Sequence, residues 1–319
     1  MDLKQLSYFV HVADLGSFTR ASTLLDVAQP ALSRQVRQLE VELRQRLLNR
    51  NGRGVTLTDA GQRLLEHGRG ILHQVERARE DLEEMRGAPV GHAALGVPPT
   101  VGRILTGPLV SAFRERFPKA TLGIVEGLST FLLERLVSGR VDVGLVYNPA
   151  PTPAIETQPL VVEPLYLIGP ADGRHGAARH AGPRIGKPVA LRELPDYGLI
   201  VPGRPNALRM YIESQLAAIG SRINVTWEVD GIAAILDLVG RGLGYAVLSV
   251  NALRNEPLGA SLLPRPIVKP RLAVTLAIAT SSQRPLTPLG RRVVDLVHEL
   301  VPRELAGQAS PARDRAVET

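Results

Sequence analysis

The chain contains no cysteine. That excludes disulfide bridges, thiolate zinc sites, iron–sulfur clusters and a cysteine nucleophile. It has no uninterrupted apolar run near the roughly 18 residues that a membrane-spanning helix needs. The first residues, Met1 to Phe18, lack a basic leader, a long apolar stretch and a small-residue cleavage site, which predicts a cytoplasmic protein without a membrane partner. Catalytic and cofactor signatures are missing too, so neither an enzyme nor a resident metal or cofactor is expected. Gly182-Pro183-Arg184-Ile185-Gly186-Lys187 is one residue short of a phosphate-binding loop, and Pro188 stands where Ser or Thr is needed. His298-Glu299 lacks the second histidine of a metalloprotease helix, and Gly242-Leu243-Gly244 lacks the third glycine of a dinucleotide fingerprint. The seven histidines show no zinc-ligand spacing.

What is present is a chain of 319 residues, 44% hydrophobic, with a net charge of +7. This length predicts about two domains, and the apolar content suffices for packed cores. A basic chain suggests a polyanionic partner. The charge is unevenly spread, however. Residues 1–57 carry eight basic and five acidic side chains, residues 58–86 five and seven, and residues 87–319 twenty-five and nineteen. Most of the excess therefore lies in the larger C-terminal part, and the bulk charge alone does not locate a nucleic-acid site.

Residues 1–57 read as three short helices followed by two short extended pieces. Leu3, Leu6, Phe9, Val10 and Ala13 recur at helical spacing. Gly16 ends that helix, and Ser17 caps the next. Pro30 suits the first turn of a third helix, whose apolar face is Leu32, Val36, Leu39 and Leu43. Its opposite face presents Gln29, Ser33, Arg34 and Arg37 side by side. Gln suits adenine edges and Arg suits guanine or phosphate, so this face fits the reading helix of a helix-turn-helix. Arg50 and Arg53 flank a glycine turn within reach of a DNA backbone.

Residues 58–86 read as one long helix capped by Thr58. Leu64, Gly68, Ile71, Val75, Ala78, Leu82 and Met85 recur in alternating steps of four and three, a seam for a second copy of the helix. A hinge is expected at 87–91. Over residues 92–306 short apolar runs alternate with amphipathic helices, which predicts two α/β lobes built on mostly parallel sheets. Residues 307–319 read as a flexible tail.

The pattern as a whole resembles the LysR-type transcriptional regulators. The resemblance rests on Leu6-x-x-Phe9, Gly16-Ser17-Phe18-Thr19-x-Ala21, Gln29-Pro30-Ala31-Leu32-Ser33-Arg34-Gln35-Val36, Leu39-Glu40, Arg50 and Leu57-Thr58-x-Ala60-Gly61. Weaker matches are Leu136-x-x-Gly139-Arg140-Val141-Asp142-Val143-Gly144 and Gly242-Leu243-Gly244-Tyr245-Ala246-Val247-Leu248. It implies an α-rich winged helix-turn-helix at 1–57, a dimerising linker helix, and a two-lobed α/β effector domain similar to periplasmic binding proteins. It also implies double-stranded promoter DNA and a small metabolite as partners, a homodimer that pairs into a tetramer, and RNA polymerase as a further contact. Within the family the resemblance leans towards regulators of nitrogen assimilation and the related ones of aromatic breakdown. The implied DNA-contacting residues are Ser17, Thr19, Gln29, Pro30, Ser33, Arg34 and Arg37, with Arg50 and Arg53 on the wing. Three departures stand out: Ala28 replaces a usual Ser, Ser22 a common Ala, and Arg44 a usual Gly after the third helix.

Ligands of open α/β sheets sit beyond the carboxyl ends of strands. That rule selects Pro99, Thr100, Ser129, Thr130, Tyr147, Asn148, Pro202 and Gly203 as effector contacts, and hydroxyls at helix starts suit a small polar or anionic metabolite. The α/β part by itself equally suits a solute-binding protein of a transport system.

Overall fold

The computed structural model describes residues 1–51, 54–84, 91–171, 185–254 and 259–306. The chain divides into two compact units, Met1–Ala88 and Pro89–Thr319.

The first unit opens with α1 (Leu3–Leu15), α2 (Phe18–Leu24) and α3 (Gln29–Leu43). Asp2 caps α1 by accepting from Gln5 N, and Ser17 caps α2 by accepting from Arg20 N. α3 starts at Ala28, which supplies no side-chain cap, and carries Pro30 in its first turn. It ends on Arg44 at φ 51°, a left-handed cap held by a non-glycine residue. Strands β1 (Leu48–Asn51) and β2 (Gly54–Leu57) form an antiparallel hairpin with Leu48 opposite Leu57. Thr58 then caps α4 (Asp59–Glu84), its hydroxyl accepting from Gly61 N at 3.0 Å.

Phe9, Val12, Leu32, Val36, Leu39, Leu47, Leu48 and Leu65 form the core of this unit, each worth about 1.5–3 kcal/mol when fully buried. Two glycines of α4 set how closely it packs. A side chain at Gly61 would meet the Leu47 carbonyl oxygen at 2.0 Å, and one at Gly68 would meet Leu6 and Val10 of α1 at 3.0 and 3.2 Å. Gly68 is therefore a close-packing position inside the unit, and its place in the expected two-helix seam is corrected. Leu64 also packs partly against this core. Ile71 and Leu82 remain exposed.

The second unit is mixed α/β, with β3 (Gly91–Val97), α5 (Pro99–Arg116), β4 (Ala120–Glu126), α6 (Ser129–Ser138), β5 (Val143–Tyr147) and β6 (Ile155–Pro170). There follow β7 (Val189–Ala190), β8 (Leu199–Val201), α7 (Ala207–Ala218), β9 (Val225–Glu228), α8 (Ile232–Gly240) and β10 (Ala246–Ser249). β11 (Leu262–Val268), β12 (Ala273–Ser281) and α9 (Pro288–Ala306) complete it. Gly91 belongs to β3, not to a hinge; the rest of the expected hinge, residues 87–90, and the expected tail at 307–319 lie outside the described residues.

The main sheet runs β4-β3-β5-β12-β6-β11-β7, with β10 also paired to β6. The expectation of mostly parallel strands is corrected. β3 pairs in parallel with β4 and β5, but β12 lies antiparallel to β5 and β6, and β10 and β11 lie antiparallel to β6. β6 is the reason. It is 16 residues long and pairs with β12 through Pro164, then with β10 and β11 from Leu165 onward, so one strand serves both lobes. Prolines at 159 and 164 hid its first half in the sequence, and those at 264 and 266 hid β11, because proline donates no ladder hydrogen bond.

Each lobe has its own core. Leu95, Leu105, Leu109, Leu145, Val293 and Val297 fill one, and Leu167, Leu191, Leu199, Leu216 and Ile267 fill the other. The Asp142 carboxylate accepts from Ala94 N at 2.7 Å, so the motif around it fastens the start of β5 to β3.

Candidate nucleic-acid interface and ligand cleft

On the first unit, burial of Leu32, Val36 and Leu39 turns the other face of α3 outward. Gln29, Pro30, Arg34 and Arg37 are exposed there, and Ser33 is half-buried. Arg34 and Arg37 form no ion pair with a described residue, so two exposed cations lie on one helical face, a fit for phosphate oxygens or guanine edges. Ala28 leaves the start of α3 without a side-chain cap, and its N–H groups are open to a phosphate.

Arg50 stands differently. Its Nη1 donates to Ser33 Oγ at 2.9 Å, its guanidinium lies 4.5 Å from the Phe18 ring centroid, and its Nη2 is 4.0 Å from Glu40 Oε2. Arg50 thus fastens the hairpin to α2 and α3. Glu40 takes part in the same joint, because its Oε1 accepts from Leu47 N at 2.9 Å and Leu48 N at 3.1 Å. Glu40 was visible in the sequence only as part of a motif. Its task depends on the hairpin folding back over it. Ser17 is occupied as the cap of α2, and Thr19 is exposed with its carbonyl accepting from Ser22 and Thr23. Arg53 and Met85 lie outside the described residues.

On the second unit, a cavity of about 100 Å³ opens between the lobes. Of the residues expected there, Pro99, Thr100, Ser129, Tyr147 and Pro202 line it. Thr130, Asn148 and Gly203 do not, and the expectation is corrected for each. Thr130 sits exposed one position further along α6. The Asn148 side chain accepts from Thr275 N at 2.8 Å and fixes the end of β5. Gly203 donates its N–H at 2.8 Å to Asp230, which does line the cavity.

Sequence reasoning missed the wall built by the other lobe and by β6: Glu163, Asn206, Asp230, Ile235, Ser249 and Val274. Glu163 had one signal, a lone acidic residue within the apolar run Leu160 to Leu167. It is 2% exposed and accepts hydrogen bonds from the Tyr147 hydroxyl and the Asn251 amide. Burial, and then the adjacent Glu163 charge, push the Tyr147 phenol well above its ordinary value, so it remains a neutral donor.

Below Pro202, Arg209 donates to the Pro202 carbonyl at 3.0 Å and pairs with Glu213 at 3.0 Å and Glu228 at 2.8 Å. This buried guanidinium anchors the loop that enters the cavity. Among the described residues no cluster of His, Asp and Glu suits a metal ion, and no helix is long and apolar enough to cross a membrane.

Known proteins share both units. The model for bacterial regulatory helix-turn-helix proteins of the lysR family matches residues 3–62, and the model for the LysR substrate binding domain matches residues 86–302. The chain is 31% identical over 302 residues to the nitrogen assimilation regulatory protein nac of Escherichia coli (strain K12), spanning 94% of this chain and 95% of that protein. It shares a fold with full-length OxyR from Pseudomonas aeruginosa at a TM-score of 0.73 and 25% identity, over 95% of each chain. It also matches CbnR in complex with its target DNA at a TM-score of 0.65 and 26% identity, over 94% of this chain and 99% of that one.

Proposed function

The chain belongs to the LysR family of bacterial transcriptional regulators, and from that premise we propose how its residues divide the work. It is a DNA-binding regulator with an effector-binding domain. Gln29, Arg34 and Arg37 read or hold the major groove, and Arg53 takes a phosphate from the wing. Arg50 and Ser33 act together, holding the wing against α3 at the spacing the groove requires. The single observation that carries this reading is the exposed face of α3, where two arginines without an ion-pair partner among the described residues stand beside Gln29 over a packed core. A transport role has no use for this head.

Ile71, Val75, Ala78 and Leu82 join two copies through α4, which places two reading helices about one DNA turn apart. Pairing of dimers into a tetramer and contact with RNA polymerase follow the family pattern. The site of action is the cytoplasm, where promoter DNA is, and the protein regulates without turning over its ligand. Ligand in the cleft favours one arrangement of the lobes, and promoter affinity changes by the difference in its affinity for the two states.

The test is a gel-shift titration on a promoter fragment. Arg34→Ala weakens specific binding by about 1–3 kcal/mol, roughly 5- to 150-fold, while binding to unrelated DNA changes much less. Unchanged specific binding removes Arg34 from the reading role.

A further inference from the structure

Two carboxylates line the cleft, Glu163 and Asp230, and no arginine, lysine or histidine does so among the described residues. Glu163 is buried, and its partners among the described residues are two neutral groups, the Tyr147 hydroxyl and the Asn251 amide, with no cation among them. A buried carboxylate without a cation is costly, and a cationic ligand offsets that cost. Asp230 enters from the opposite lobe. Gly203 N–H holds one of its oxygens, and the other has no hydrogen bond to a described residue.

Two further groups point into the same space. Thr100, at the start of α5, and Ser249, at the end of β10, are each 8% exposed and line the cavity. Neither hydroxyl bonds to a described residue, so both have hydrogen-bonding capacity left for a ligand. The rest of the wall is largely apolar, including Leu128, Leu165, Leu208, Ile235, Leu248 and Val274.

We propose that the cleft takes an ammonium-bearing molecule with a small apolar body: a primary amine, either free or as part of an apolar amino acid. The inference rests on the reading of the cleft as the effector site, and names the class of effector. The ammonium group meets Glu163 and Asp230, and the apolar body lies on the leucine and isoleucine wall. The starts of α5 and α6 open on the same cavity without side-chain caps. Their free N–H groups suit a carboxylate, so an amino acid is matched at both ends. The helix starts by themselves point to a small polar or anionic metabolite. The two carboxylates came into view only with the fold.

Thermal unfolding of the full chain tests this with matched compounds at about 10 mM. One set is L-leucine, 3-methylbutylamine and 4-methylpentanoate; the other is L-valine, 2-methylpropylamine and 3-methylbutanoate. The amine, the amino acid or both raise Tm by at least about 2 °C in one set, and the deaminated acid of that set does not. Binding of the amine alone identifies a free amine as the ligand; tighter binding of the amino acid identifies the zwitterion. Glu163→Gln abolishes the rise. Asp230→Asn, at an exposed position, weakens apparent affinity about tenfold and serves if Glu163→Gln fails to fold.

Stabilisation by the acids but not by their amines or amino acids overturns the charge assignment and leaves the effector cleft standing. Failure of every compound overturns the proposal, as does a rise that survives Asp230→Asn at undiminished affinity. The Arg34→Ala gel shift without ligand judges the DNA-binding reading separately.

Discussion

Arginines on the N-terminal unit have different fates, and their neighbours decide which. Arg34 and Arg37 project from α3 with no ion-pair partner among the described residues, whereas Arg50 is engaged by Ser33, Phe18 and Glu40. Arg44 shows a third situation, a side chain in the left-handed region at φ 51°. That geometry costs a non-glycine residue about 1 kcal/mol. Arg44→Gly therefore stabilises the unit by about 0.5–1 kcal/mol, seen as a higher urea midpoint by far-UV circular dichroism. Trp227, the single tryptophan, reports the other unit by fluorescence and stays unchanged. Glu213 gives a prediction in pH. Burial works to raise its pKa, but hydrogen bonds and charge from Arg204 and Arg209 outweigh it and hold the value low. A carboxyl depressed on folding contributes stability at pH values above its unfolded pKa, about 4.3, and that contribution disappears as pH falls through the folded value. Glu213→Gln therefore lowers the Tm of the second unit at pH 7, and the gap to the parent protein narrows toward pH 3.

Among the elements, α4 carries two patterns at once. The residues at 61, 65, 68 and 72 face the head, and those at 71, 75, 78 and 82 follow the spacing of the proposed seam. The sequence shows both as one apolar stripe, because positions three or four apart on a helix share a face whatever packs there. Only the placement of α1 assigns Gly68 to the first pattern. Gly68→Leu forces Leu6 and Val10 aside and destabilises the head by about 1–3 kcal/mol, measured by the same urea titration. A wild-type midpoint would mean that α1 has room to yield. β6 shows the same limit in a strand. Its run from Leu165 to Ile168 is legible as apolar and short, but its other half alternates with prolines and exposed residues. Partners in β12 make that half a strand, and no local propensity records them.

For the whole molecule, the proposed seam makes DNA binding depend on assembly. Ile71→Asp combined with Leu82→Asp replaces two exposed apolar positions with charge. The pair shifts the sedimentation coefficient toward that of a monomer and weakens binding to a two-half-site promoter at least about tenfold, because the second head no longer adds its contacts. The unfolding midpoint of the head is unchanged, since neither side chain lies in its core. Local rules were enough to read the three head helices, the polar face of α3, the long fourth helix and the two-lobed α/β class from the chain alone. Those features depend on periodicity, caps and turn residues within a few positions of one another. The family motif added the function. Tertiary structure decided what lies far apart in sequence. It brought Arg50 to Ser33, turned Gly68 inward, made the central strands antiparallel and carried Glu163 and Asp230 to the wall of one cleft. Each outcome depends on which distant segment packs against the residue, and burial and charge then set what that residue can bind.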